Sequence, residues 1–214
     1  MRPTTGLAAL LAALAGFVDA LAYGSLSGFF ASSMTGNTTR AGAGIATGNY
    51  GDALMGGALV LSFLSGIVSG AILNHAVAGR RRAVLMAATA LLLAGAAGVE
   101  SLGQLRLAFL LLAAAMGMEN GIFAREGEVA IGLTYMTGTL VRFGQRLAGS
   151  LMGTDGRFAW ARDLELWVGF LGGIIAGGFA YAAIGDGAFW VAAGAASLLA
   201  LLLSFLPERN GAPD

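Results

Sequence analysis

Asp19, Glu119 and Asn120 are polar side chains set in stretches otherwise built from Leu, Ala, Val, Phe, Met and Gly. A carboxylate at the centre of a spanning helix costs roughly 2.5–3.5 kcal/mol, and such groups are usually kept for a solute path, a proton relay or a partner. A second set of polar residues recurs. "SSMTGNTTRAG" at 32–42 and "TYMTGTLVRFG" at 134–144 share Met34, Thr35, Gly36, Arg40 and Gly42 with Met136, Thr137, Gly138, Arg142 and Gly144, each 102 positions on. Thr35 and Thr137 are candidate helix N-caps, opening helices at Gly36 to about Thr47 and Gly138 to about Leu151. The residues before the second copy, 129–135, are mixed β-branched and aromatic and favour extended chain. An extended entry followed by a helix leaves unpaired N–H groups and the positive end of the helix dipole at the turn. Two such ends face to face would cradle an anion or a carbonyl-rich solute. On this reading Thr35, Gly36, Asn37, Thr137, Gly138, Thr139 and Asn120 contact solute, with Asp19, Glu119, Arg40 and Arg142 coupling or gating. Two plainer readings stand beside it. Thr-Gly pairs also let membrane helices approach closely, and the arginines could form static ion pairs with Asp19 and Glu119.

The composition says what surrounds these residues. The chain of 214 residues is 57% hydrophobic and 11% charged, with a mean hydropathy of +0.78. Soluble domains carry about 25% charged residues, so this is an integral membrane protein, and the lipid bilayer is its first partner. With no cysteine and one histidine, His75, a metal centre or a nucleophilic triad is not expected. Nor is there a GxSxG motif. The reading is therefore no enzyme, no cofactor and no metal. Net charge is zero, and no charge run suggests nucleic acid.

Six stretches have the roughly 20 apolar residues that a span requires: 5–24, 52–78, 83–100, 105–124, 164–185 and 187–206. Two more, 25–48 and 126–152, carry the repeated phrase and lack an unbroken apolar core. All twelve basic residues are arginines, so the positive-inside rule can orient the chain. If both odd stretches enter and leave on one side, ten arginines fall on the cytoplasmic side and only Arg40 and Arg106 remain outside. The expectation is an all-α membrane protein with six transmembrane helices, two re-entrant half-helix segments and both termini cytoplasmic.

The similarity extends beyond the phrase. Gly16 and Asp19 match Gly117 and Asn120 at an offset of 101, and "SFLSGIVSGAIL" (62–73) matches "GFLGGIIAGGFA" (169–180) at 107. One membrane domain, 1–214, then holds repeat 1 at about 5–100 and repeat 2 at about 105–206. Three spans per half is odd, so the halves run oppositely, an inverted 3+3 repeat of the kind found in secondary transporters. The glycine faces at 62–73 and 169–180 invite either a homodimer or close packing within one chain.

With "GFVDALAY", "ASSMTGNTTR", "AMGMENGIFAR" and "TYMTGTLVR" in view, the chain resembles the YoaK-type family of bacterial membrane proteins of unknown function (domain of unknown function 1275). The likeness covers nearly the whole chain and implies a small multi-pass protein of the bacterial cytoplasmic (inner) membrane. Many relatives have Gln where this chain has Glu119. The extended-then-helical segments also resemble the core of uracil and sulfate permeases, in architecture alone. The leading expectation is a secondary transporter of a small polar or anionic solute, with proton coupling through Asp19 or Glu119. A small-solute channel and a non-transporting membrane scaffold are the alternatives.

Overall fold

The computed structural model describes residues 3–26, 28–77, 79–125, 128–129 and 134–206. Its helices are α1 (Pro3–Ser25), α2 (Met34–Thr47), α3 (Tyr50–Ala76), α4 (Arg81–Ser101), α5 (Leu105–Glu119), α6 (Met136–Met152), α7 (Ala161–Ile184) and α8 (Gly187–Phe205). A 3-10 turn (Asn120–Phe123) extends α5. Two-residue strands β1 (Ala124–Arg125) and β2 (Glu128–Val129) pair antiparallel. Of the extended entry expected over 129–135, Val129 lies in β2, and residues 130–133 lie outside the described residues.

Six helices are long and apolar enough to cross a membrane: α1, α3, α4, α5, α7 and α8. They fall within a few residues of the six stretches above. The remaining two are shorter and more polar, and each ends at a glycine with φ 75°, Gly48 after α2 and Gly153 after α6. That left-handed backbone stops a helix and is open to glycine without steric penalty.

α1, α4, α5 and α8 form the centre. α7 lies along α1 and α3 along α5, while α2 rests on α3 and α6 on α7. The outer spans carry large apolar side chains on their free faces, such as Leu54 and Phe179, each 74% exposed. A helix apolar all round belongs in lipid.

Glycine sets the tightest contacts. On α7, Gly169, Gly173 and Gly177 meet the backbone of Ala9, Ala13 and Phe17 on α1, while Gly16 of α1 meets that of Phe170. On α3, Gly66 and Gly70 meet Ala114 and Met118 of α5, while Gly117 of α5 meets Phe63. Residue numbers rise together in both pairs, so each pair is parallel. A Cβ at Gly16, Gly66, Gly117 or Gly173 would run into a carbonyl oxygen. Gly66, Gly70, Gly169, Gly173 and Gly177 are therefore engaged within one chain, which is the close packing that the sequence offered beside a homodimer.

α4 and α8 run antiparallel. Glu100 at the end of α4 neighbours Asp186 at the start of α8, and the first half of α4 shares an outer groove with the last half of α8. Their inner faces are Leu, Ala, Met and Phe, with Phe189 edge-on to Phe109 of α5 at a centroid distance of 6.1 Å.

Candidate functional site

In each half a polar side chain on a central helix holds the chain that leads into the short helix. Asp19 is buried on α1. Its Oδ1 accepts from the backbone N–H of Ser32 at 2.6 Å and its Oδ2 from the Ser32 hydroxyl at 2.7 Å. In the second half Asn120 is buried where α5 passes into its 3-10 turn. Its Nδ2 donates to the Met116 carbonyl at 2.9 Å and lies 3.2 Å from Thr134 Oγ1, which is 3.3 Å from Asn120 Oδ1. Ser32 and Thr134 stand 102 positions apart, the offset of the phrase itself. They are site residues that the alignment of the two copies contained but that attention to Thr-Gly passed over.

Both short helices begin two residues before the expected Gly36 and Gly138. The Ser33 carbonyl accepts from Asn37 N–H at 3.3 Å and the Tyr135 carbonyl from Thr139 N–H at 3.0 Å. Ser33 and Tyr135 thus take the cap positions, and neither side chain caps. Thr35 and Thr137 are not caps. They lie in the first turn with exposed side chains, and the N–H groups left without an intrahelical acceptor are those of this turn.

Asn37 is fully buried. Its Oδ1 accepts from Phe30 N–H at 3.0 Å and its Nδ2 donates to the Phe30 carbonyl at 2.7 Å, so the amide serves the approach segment as a neighbouring strand would. Gly36 is covered, because a Cβ there would come within 2.9 Å of the Phe30 ring. Around Gly138, among the described residues, only Arg142 comes near, at 3.8 Å from such a Cβ. Thr139 donates to the Tyr135 carbonyl at 3.0 Å and accepts from Arg142 Nη2 at 2.9 Å.

The arginines pair elsewhere than expected. Arg40 Nη2 meets Asp52 at 2.7 Å, and its guanidinium stacks 3.8 Å over the Phe29 ring. Arg142 and Arg146 converge on Asp163, at 3.3 and 2.8 Å. Both aspartates lie in the first turn of the span that follows the short helix. The cause is local in the first half, where only Gly48 and Asn49 separate α2 from α3, so residues along α2 face the start of α3. Asp19 is on another helix with both oxygens engaged. Glu119 has no ion pair among the described residues. It is fully buried, and neither oxygen has a hydrogen-bond partner among the described residues.

Six apolar spans around buried polar side chains define a multi-pass integral membrane protein. The chain belongs to the family described as "Protein of unknown function (DUF1275)", whose model matches residues 7–202. It is similar to the UPF0700 transmembrane protein RA0705 of Rhizobium meliloti (strain 1021), with 35% identity over 210 residues that cover 97% of this chain and 90% of the relative. No solved structure matches it significantly.

Proposed function

We propose that the protein is a secondary transporter of a small polar or anionic solute, coupled to proton exchange at Glu119. The observation that carries this reading is the burial of that carboxyl, without a hydrogen-bond partner among the described residues and one residue from Asn120. An ionisable group inside a membrane domain is kept at a free-energy cost, and it is a functional group by default. Asp19 is the weaker coupling candidate, since Ser32 occupies both its oxygens.

The architecture proposed is an inverted 3+3 repeat with α2 and α6 re-entrant. The antiparallel course of α4 and α8 supports it. These are the last spans of their halves. Were α2 and α6 both to cross the bilayer, each half would have four crossings and α4 would run parallel to α8. Three crossings give opposite directions. The matching glycine contacts of α1 with α7 and of α5 with α3 support the same relation. Arginine placement then puts both termini on the cytoplasmic side of a bacterial cytoplasmic membrane.

Solute would sit between the first turns of α2 and α6, on the N–H groups near Thr35, Thr137 and Gly138, with the Thr139 side chain at the edge. Arg142 lies beside Gly138 and Thr139, and Asn37, Asn120 and Asp19 hold the segments. No bond is made or broken, so the role is not enzymatic. A scaffold is the competing reading, and the covered Gly36 and engaged Asn37 amide favour it for the first copy.

Proteoliposomes carrying a lumenal pH dye test the proposal against a panel of small carboxylates, inorganic anions and nucleobases. At least one solute gradient should move protons. Glu119→Gln should abolish proton movement while solute still raises the melting temperature in detergent. A panel without flux or thermal shift would favour the scaffold, and unchanged proton movement in Glu119→Gln would remove Glu119 from the mechanism.

A further inference from the structure

An open groove of about 600 Å³ runs along the outer side of α4 and α8. Its walls are mostly small side chains, among them Ala83, Ala87 and Ala94 on α4 and Ala200 on α8. Two serines line it, but Ser197 donates to the Ala193 carbonyl at 2.8 Å and Ser204 to the Leu201 carbonyl at 2.7 Å. With both hydroxyls turned onto their own helix, the trough suits hydrocarbon.

Its length and its mouth restrict the occupant. Ala83 to Ala94 spans about 16 Å at 1.5 Å per residue, close to half of the ~30 Å hydrocarbon core. The groove is therefore as deep as one leaflet. Arg80 lines its outer end, exposed and followed directly by Arg81 and Arg82. No carboxylate lines it among the described residues.

We propose that this groove holds an acyl chain of an anionic phospholipid, with the headgroup phosphate at Arg80. The apolar trough takes a chain of one leaflet's length, and the guanidinium at its mouth selects negative charge. A free anion would have no use for the trough, and in a zwitterionic headgroup the ammonium offsets the attraction of the phosphate for Arg80. The site lies apart from Glu119 and is independent of transport.

Native mass spectrometry of the detergent-solubilised protein tests it with phosphatidylglycerol and phosphatidylcholine of identical chains in equimolar competition. Wild type should retain phosphatidylglycerol about fivefold over phosphatidylcholine, the attraction expected of one arginine near an anionic lipid. Arg80→Gln should bring that ratio to about one, whereas Arg80→Lys should keep most of it, which separates charge from folding. Ala87→Phe, at an exposed position, should strip both lipids, and inorganic phosphate should not compete. Equal retention by wild type, full retention by Ala87→Phe, or a protein dimer in place of bound lipid would overturn the proposal.

Discussion

The two copies of the phrase begin with the same Met-Thr-Gly and end in different physical situations. In the first, Phe30 covers Gly36, the Asn37 amide is bound to the Phe30 backbone, and Arg40 lies over Phe29 against Asp52. In the second, Arg142 alone comes near Gly138 among the described residues, Thr139 replaces the asparagine, and Arg142 joins Arg146 on the buried Asp163. The central anchors differ likewise, Asp19 engaged on both oxygens and Asn120 neutral beside the unpartnered Glu119. One half is held by hydrogen bonds to its own backbone, the other concentrates ionisable groups. The recurring phrase keeps the geometry of a short helix while the surroundings of the two copies differ.

The largest break in that contrast should come from Asn37→Ala. It leaves the Phe30 N–H and carbonyl without their amide, at about 1–3 kcal/mol for each buried group, whereas Thr139→Ala should cost about 1 kcal/mol. Unfolding in mixed micelles compares them, and equal losses would mean the amide is not what holds the first copy. Next is the ion-pair contrast. Asp163→Asn removes the shared partner of two arginines and should cost about 2–3 kcal/mol, below the 3–5 of a wholly buried pair because both arginines are partly exposed. Asp52→Asn should cost less, about 1 kcal/mol, because both partners of this pair keep water while Asp163 is buried. Melting curves in high salt should narrow the difference only slightly, and a reversed order would refute it. The smallest test sharpens the contrast by its sign. Gly36→Ala pushes a methyl against the Phe30 ring and should destabilise. Gly138→Ala, with only Arg142 near it among the described residues and at ordinary contact distance, replaces a helical glycine and should stabilise by up to about 1 kcal/mol.

The spans were legible because crossing a bilayer imposes length and apolarity on contiguous sequence, as in the run from Leu54 to Leu73. α2 ends at the expected Thr47 and α6 one residue past the expected Leu151, each before a glycine in the left-handed conformation, a stop that demands a residue type. Their starts were not legible. Thr35 and Thr137 have the chemistry of caps, but the first turn closes on the backbone carbonyls of Ser33 and Tyr135, which any residue could supply. The arginine partners were misread because burial alone nominated Asp19 and Glu119, whereas the fold brings together Arg40 and Asp52, twelve residues apart. Ser32 and Thr134 were visible as an aligned hydroxyl pair, and only the place of Asp19 and Asn120 opposite them gave that alignment a meaning.

The glycine contacts also set a timetable for biogenesis. Phe63 and Gly117 are about 50 residues apart, Gly16 and Phe170 about 150. At about 5–20 residues per second, α5 emerges beside an α3 made only seconds earlier. α1 waits about 10–30 s for α7, with Asp19 already inserted and its glycine face uncovered. Equivalent contacts in the finished protein are thus unequal during synthesis. The ribosome leaves the first helix as the member of the bundle most in need of a temporary companion in the membrane.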